Sequence, residues 1–304
     1  MLLILSLFCI FVLGYLVQTT GLCMVKGVKE AISGKPVFLI SILLSGSFMW
    51  VAIAATYLLE QPVSSNSHLP TMHSVFGGFA FGIGAAFNGG CGVSTISRFA
   101  RGQVMMTATM LGWLVSWLLF AELLTGYSGK GYTVLPTVHL VSLASISMIL
   151  LIVAFKSDAN ARKLWLSMLG IGVMGGMVFI YEPHWTPSGL LKSMALSVWN
   201  GDLGGWPRVE RFYLFLCLVL GMAVAAIATK SFHIERVIKL KLLKHFLAGL
   251  FMGLGAVMAV GGNDTQLLVA LPALSAAGIV TVASMVIGIY LGITIIARQK
   301  NKVG

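Results

Sequence analysis

Twenty or so apolar residues in an unbroken row can carry a helix across a bilayer. This chain has such runs at about 1–18, 36–59, 104–124, 136–155, 164–181, 211–229 and 279–297. No other feature constrains the fold as strongly, because inside hydrocarbon every backbone N–H and C=O must find its partner within the protein. Only 10% of the 304 residues are charged and 58% are hydrophobic, whereas a soluble domain carries about 25% charged residues. Mean hydropathy is +0.96. The chain reads as an all-α integral membrane protein with the lipid bilayer as its first partner. Its leucine-rich start lacks the basic n-region and small-residue cleavage site of a signal peptide, and reads as a retained first span.

Two further regions, 73–101 and 245–277, are apolar but interrupted by glycine and polar residues, and read as crossings made of broken helices. The first, FGGFAFGIGAAFNGGCGVSTISRFARGQ, runs as an apolar helix until Asn88-Gly89-Gly90-Cys91-Gly92, then resumes with Ser94, Thr95, Ser97, Arg98 and Arg101. Glycine disfavours helix and readily takes positive φ, so the helix breaks there. In a bilayer such a break survives only where it lines a polar cavity or is buried in protein. The segment from Tyr181 to Trp206 is too short to span and reads as re-entrant or interfacial.

Charge sets the orientation. The loops 24–35, 156–163 and 230–244 and the C-terminal tail are basic, while 60–70 holds no Lys or Arg and 125–135 only Lys130. If each broken region crosses once, every basic loop falls on one side, which the positive-inside rule makes cytoplasmic. That predicts about nine crossings, with the N-terminus outside and the C-terminus in the cytoplasm. The exception is 182–210, on the outer side, which carries Lys192 and Arg208, with Arg211 directly after it. The net charge of +11 is mainly this anchoring and also suits an anionic substrate. Without a sizeable extramembrane face, nucleic acid is excluded as a partner.

A short repeat runs through the same regions. Phe81-Gly82-Ile83-Gly84-Ala85-Ala86 matches Met252-Gly253-Leu254-Gly255-Ala256-Val257 at an offset of 171, which places Gly90 on Gly261 and Cys91 on Gly262. Inverted repeats with broken helices are typical of transporters, whose sites lie at the repeat interface. The expected architecture is one membrane transport domain, 1–304, with a first repeat at 1–135, a connecting span and loop at 136–163, and a second inverted repeat at 164–304.

The four cysteines show no zinc or redox spacing. Cys9 and Cys217 sit in leucine-rich helix as packing residues, and the sixteen methionines are scattered and also read as packing. Cys23 and Cys91 flank glycines at helix ends. Half-helix N-termini near Gly92 and Asn263 would present free amides to an anion, with Cys91 acting either as thiol donor or, if those amides favour it, as thiolate. Arg98 and Arg101 read as cytoplasmic anchors, with Arg98 also a candidate at the anion exit. Asp264, costly at membrane depth, reads as a cap for the half-helix that follows it, with Asn263 nearer the path. His184 and Trp185 read as an aromatic belt or an outer vestibule, the belt being preferred.

FGIGAAFNGGCGVSTISRFARGQ resembles the first signature of the YeeE/YedE sulfur-transport family, and GYLVQTTGLCMVKGVKEAISGK resembles its amino-terminal motif. FMGLGAVMAVGGNDTQLLVALPALSAAGIV resembles the carboxy-terminal signature, and PHWTPSGLL sits where a Pro-Trp-Gly-like turn is common. The resemblance implies uptake of thiosulfate or a related inorganic sulfur anion along a narrow path of cysteines, as a transporter and not an enzyme, without a cofactor or metal, in the cytoplasmic membrane of a bacterium or archaeon. Cys91 matches the central cysteine and Cys23 the amino-terminal one. The third is missing, since the usual Gly-Cys-Asn becomes Gly261-Gly262-Asn263. Thr19-Thr20 likewise stand where an arginine and a small hydroxyl residue are usual. These departures keep other readings open: a related sulfur or selenium species, a membrane sulfurtransferase forming a persulfide on Cys91, or a scaffold with a degenerate site. A cytoplasmic sulfur-carrier protein would be a natural partner.

Overall fold

A computed structural model describes residues 2–58, 67–125, 129–201 and 203–303. Among them, eight helical segments are long and apolar enough to cross a membrane, and Met106–Glu122 is a shorter ninth. The protein is an all-α, multi-pass membrane protein.

The first run folds as α1 (Leu2–Thr20), which turns at Gly21 (φ 63°) into a short helix, α2 (Met24–Ile32). Residues 24–35, expected as a basic loop, are therefore largely helical. Met24, Val25, Gly27 and Val28 point inward, while Lys26 and Glu30, one turn apart, face out with 3.9 Å between their charges. Helical spacing of the apolar residues, not their number, makes the segment fold. The run 36–59 also departs from expectation by splitting into α3 (Val37–Leu43), a 3-10 turn at Ser45–Met49, and α4 (Trp50–Leu58). The Ser45 and Ser47 hydroxyls donate back to the carbonyls of Ile42 and Leu44, at 2.8 and 2.7 Å, a local bonding that bends helices.

The broken crossings form as expected. Thr71 and Ser74 make a reciprocal capping box that starts α5 (Met72–Asn88). The chain then breaks and continues as α6 (Gly92–Ala100) and α7 (Met106–Thr125). After α8 (Pro136–Lys156) and α9 (Ala159–Tyr181), the segment 182–210 contains one short helix, α10 (Pro187–Asn200). Then follow α11 (Val209–Ala228) and α12 (Lys239–Met258). Beyond the second break, α13 (Asn263–Thr265) runs into a π-turn at Gln266–Ala270, and α14 (Ala276–Val303) closes the bundle.

Small residues let backbones approach where these helices cross. Gly84 lies against the Ala248 carbonyl and the Met252 amide, and Gly255 lies against the Gly77 carbonyl and the Phe81 amide. At an offset of 171 these are the same contacts exchanged between α5 and α12, as a local two-fold axis requires. The outer pairs follow suit: Gly78 on α5 faces the Thr281 carbonyl of α14, and Gly249 on α12 faces the Thr109 carbonyl of α7.

The two ends of the bundle differ. At one, strands β1 (Ser67–His68) and β2 (Gly131–Tyr132) pair antiparallel, and Tyr132 Oη donates to the Leu274 carbonyl at 2.7 Å. At the other, His233 N and Glu235 N donate to the carbonyls of Arg101 and Gly102, at 3.0 and 3.2 Å. The ribbon joins loops assigned to the outer side, and the second set joins basic loops assigned to the cytoplasm. Neither set mixes the two.

Candidate functional site

Four short helices, α2, α6, α10 and α13, each begin at a break inside the bundle, with Cys23, Cys91, Thr186 and Gly262 at their N-caps. The first two bring their thiols face to face, and both cysteines are unbridged. Cys91 is fully buried, and its sulfur also lies near the backbone of Ser94 and Met24, so it sits where the N-termini of α6 and α2 converge. The glycines around it have distinct reasons. Gly89 ends α5 in the left-handed conformation, φ 73°. A Cβ on Gly90 would sit 2.6 Å from Ser94 Oγ, and one on Gly92 would sit 2.7 Å from the Trp113 ring and 2.9 Å from Asn263 Oδ1.

Asn263 joins the two breaks. Its Oδ1 accepts from the Gly92 amide at 3.0 Å, and residues 92 and 263 are themselves separated by the repeat offset. The side chain is fully buried and its Nδ2 has no protein partner among the described residues. Asn88, by contrast, is fully engaged. Its Nδ2 donates to the Gly90 carbonyl (3.0 Å) and Thr95 Oγ1 (2.8 Å), while its Oδ1 meets Thr109 Oγ1 and His245 Nδ1, both at 2.8 Å. It braces the break. Arg98 lies on the basic side, with Nη1 donating to the Asn88 carbonyl at 3.2 Å and Nε donating to Gln103, whose amide reaches Glu235 at 2.8 Å.

The second break is built differently. Val260 takes a left-handed conformation, φ 58°, and a Cβ on Gly261 would sit 2.7 Å from the Thr265 side chain. The space a Cβ on Gly262 would need is already bounded by Ser188 Oγ at 2.5 Å, Asp264 Oδ1 at 2.8 Å and the Trp113 ring at 2.9 Å. Asp264 accepts from the Ser188 amide at 2.7 Å and from the Ser188 hydroxyl. Its carboxylate therefore caps the neighbouring α10, whose first residue, Pro187, has no amide to offer.

Two cavities flank these breaks. One, about 30 Å³, is lined by Leu22, Val93, Pro187, Asp264 and Leu267 among others, where all four short helices begin. The other, about 320 Å³, opens at the ribbon end and is lined by His68, Thr71, His184, Thr186 and Lys192, with Val260 and Thr265 of the second break in its wall. Burial pushes the Lys192 ammonium below the usual lysine range, and burial together with the Arg211 charge lowers His184. The belt assignment for residues 184 and 185 fails in both cases. His184 lines the cavity, and Trp185 is a core residue packed on Gly175.

Sequence reasoning missed Trp113, whose ring separates Gly92 from Gly262, and the Thr186–Ser188 pair at the start of α10. A tryptophan at mid-span, away from the interfacial belt, is the signal for the first. A hydroxyl residue followed by proline, the start signal of a helix, is the signal for the second.

A family profile described as sulphur transport matches residues 22–159 and 136–291. Over 324 aligned positions the chain is 21% identical to the thiosulfate transporter TsuA of Escherichia coli (strain K12), covering 94% of this chain and 92% of that protein. With the profile covering most of the chain, the protein belongs to the sulphur-transport family.

Proposed function

We propose that this protein carries thiosulfate, or a sulfur anion close to it, into the cytoplasm along a path through Cys91 and Cys23. The observation that carries the reading is the meeting of these two thiols at the N-termini of α2 and α6, nine residues each. The partial positive charge of a helix N-terminus replaces part of an anion's hydration shell, the Gly92 amide itself being held by Asn263 Oδ1. A thiol is a weak donor, and a conducted ion must be held weakly enough to leave. Asn263 Nδ2 adds a buried donor beside the Gly92 amide, of the kind that calls for an explanation in a folded protein. Gly90, Gly92, Gly261 and Gly262 let the two breaks pack closely against Ser94, Trp113, Thr265 and Ser188, Gly89 supplies the left-handed turn, and Arg98 draws the anion towards the basic side. The third family cysteine is replaced by Gly262, so the path uses two thiols.

Residues 1–135 and 164–304 are taken as the inverted repeats around this path, with 136–163 connecting them. The membrane is the cytoplasmic membrane, and a soluble sulfur carrier on its inner face would receive the product. Thiosulfate itself enters from the name of the Escherichia coli relative. Persulfide transfer from Cys91 to a soluble protein is disfavoured because that sulfur is fully buried.

The test is uptake of labelled thiosulfate into proteoliposomes, wild type beside Cys91→Ala, with sulfate as competitor. Saturable uptake that falls to background in the variant is expected. A folded wild type with no uptake would overturn the reading.

A further inference from the structure

Positive charge is disfavoured on the outer side of a membrane protein, yet 182–211 carries Lys192, Arg208 and Arg211. Two of the three have local partners. Glu182 receives Arg208 Nη2 at 3.1 Å and lies 4.0 Å from Arg211 Nε, and Arg211 also donates to Ser193 Oγ and the His184 carbonyl, at 2.8 and 2.6 Å. Lys192 has no such partner among the described residues. It is half-buried, one turn beyond Gly189 on the same face of α10, and both line the cavity of about 320 Å³ at the ribbon end. A lysine removed from water without a counter-charge is costly, and among the described residues no carboxylate lines this cavity to supply one. What does line it, besides Lys192, includes Thr71, Ser74, Ser275 and His184, the Ser275 hydroxyl donating to the His68 carbonyl at 3.3 Å.

We infer that this cavity is an anion-docking site in which Lys192 holds a small divalent sulfur oxyanion before it enters the path. The inference rests on the uptake reading for the direction of travel, though not for the binding itself. The cavity adjoins the second break, with Val260 and Thr265 in its wall. Thr186 Oγ1 and Thr265 Oγ1 meet at 2.8 Å in its wall. Thr265 lies two residues beyond Asn263, whose Oδ1 holds the Gly92 amide beside Cys91. The second break thus forms part of the wall beside which an anion at Lys192 would be held. The site supplies charge and hydroxyl donors but no thiol, so it selects for a small oxyanion, and discrimination between thiosulfate and sulfate falls to the cysteines behind it.

The experiment separates docking from passage. Purified Cys91→Ala protein in lipid nanodiscs, in which flux is expected to be blocked, is titrated with labelled thiosulfate and then with sulfate as competitor. Binding of both anions, weakened by salt, is expected. Lys192→Ala on this background should weaken binding about tenfold, and Lys192→Arg should restore most of it. In otherwise wild-type proteoliposomes, Lys192→Ala should raise KM about tenfold while Vmax changes far less. Equal binding with and without Lys192 would overturn the inference, as would equal losses in the Ala and Arg variants accompanied by reduced thermal stability. Lys192-dependent binding by a wild type that transports nothing would support the docking site and overturn the uptake reading.

Discussion

The two breaks occupy matching places in the fold and are finished with different chemistry. At the first, Gly89 supplies the left-handed turn at φ 73°, and Cys91 opens a regular nine-residue helix with its thiol turned to Cys23. At the second, a valine takes the left-handed turn at φ 58°, the helix runs into a π-turn after three residues, and the thiol's place is closed off by Ser188, Asp264 and Trp113. The first break is the one that keeps a thiol, and on the proposed reading it is the one that meets the anion. The second is tied by the Asp264 carboxylate to α10, which gives the first a fixed surface to work against. Matching breaks can keep one backbone plan while only one copy keeps the thiol, because the plan needs glycines and close packing, whereas the thiol needs one side chain and a place for it.

The sharpest way to break this comparison is to exchange the stations. Cys91→Gly combined with Gly262→Cys should take labelled thiosulfate uptake to background, because the second position has no room to present a thiol to the path. Uptake by the double variant would show the breaks to be interchangeable. Next in size is Asn263→Ala, which removes both the unpaired Nδ2 and the acceptor for the Gly92 amide. It should lower uptake roughly tenfold, the worth of about one hydrogen bond to an anion, with the larger change in Vmax if the donor acts during passage.

Two smaller effects concern stability, read by thermal unfolding in detergent or nanodiscs. Gly262→Cys alone should cost about 1–3 kcal/mol by overpacking against Ser188, Asp264 and Trp113, while uptake through Cys91 persists. Unchanged stability would mean that the space is not filled as described. Smallest is the pair at the left-handed turns. Val260→Gly should stabilise by about 1 kcal/mol, and Gly89→Ala, which has only Arg98 Nη1 nearby at 3.9 Å, should destabilise by about the same amount. Equal signs for the two would contradict the backbone assignments at one of the breaks.

The spans, the broken crossings and the position of Cys91 at a helix start were legible in the sequence. Long apolar runs admit only helices in a bilayer, and Asn88-Gly89-Gly90-Cys91-Gly92 cannot continue one. The offset of 171 by itself puts residues 92 and 263 in correspondence. Tertiary structure alone decided that Cys23 faces Cys91, that Asn263 bonds Gly92, that Asp264 caps α10, and that Lys192 lines a cavity. The helical nature of 24–32 was within reach of the spacing but hidden by its charges. A helix boundary depends on residues within a turn or two, which the sequence contains. Whether a side chain on one short helix meets the N-terminus of another depends on how distant segments cross, and that is set by glycine contacts such as Gly84 with Ala248 and Gly255 with Gly77. Those contacts join residues more than a hundred positions apart, and no local pattern records them.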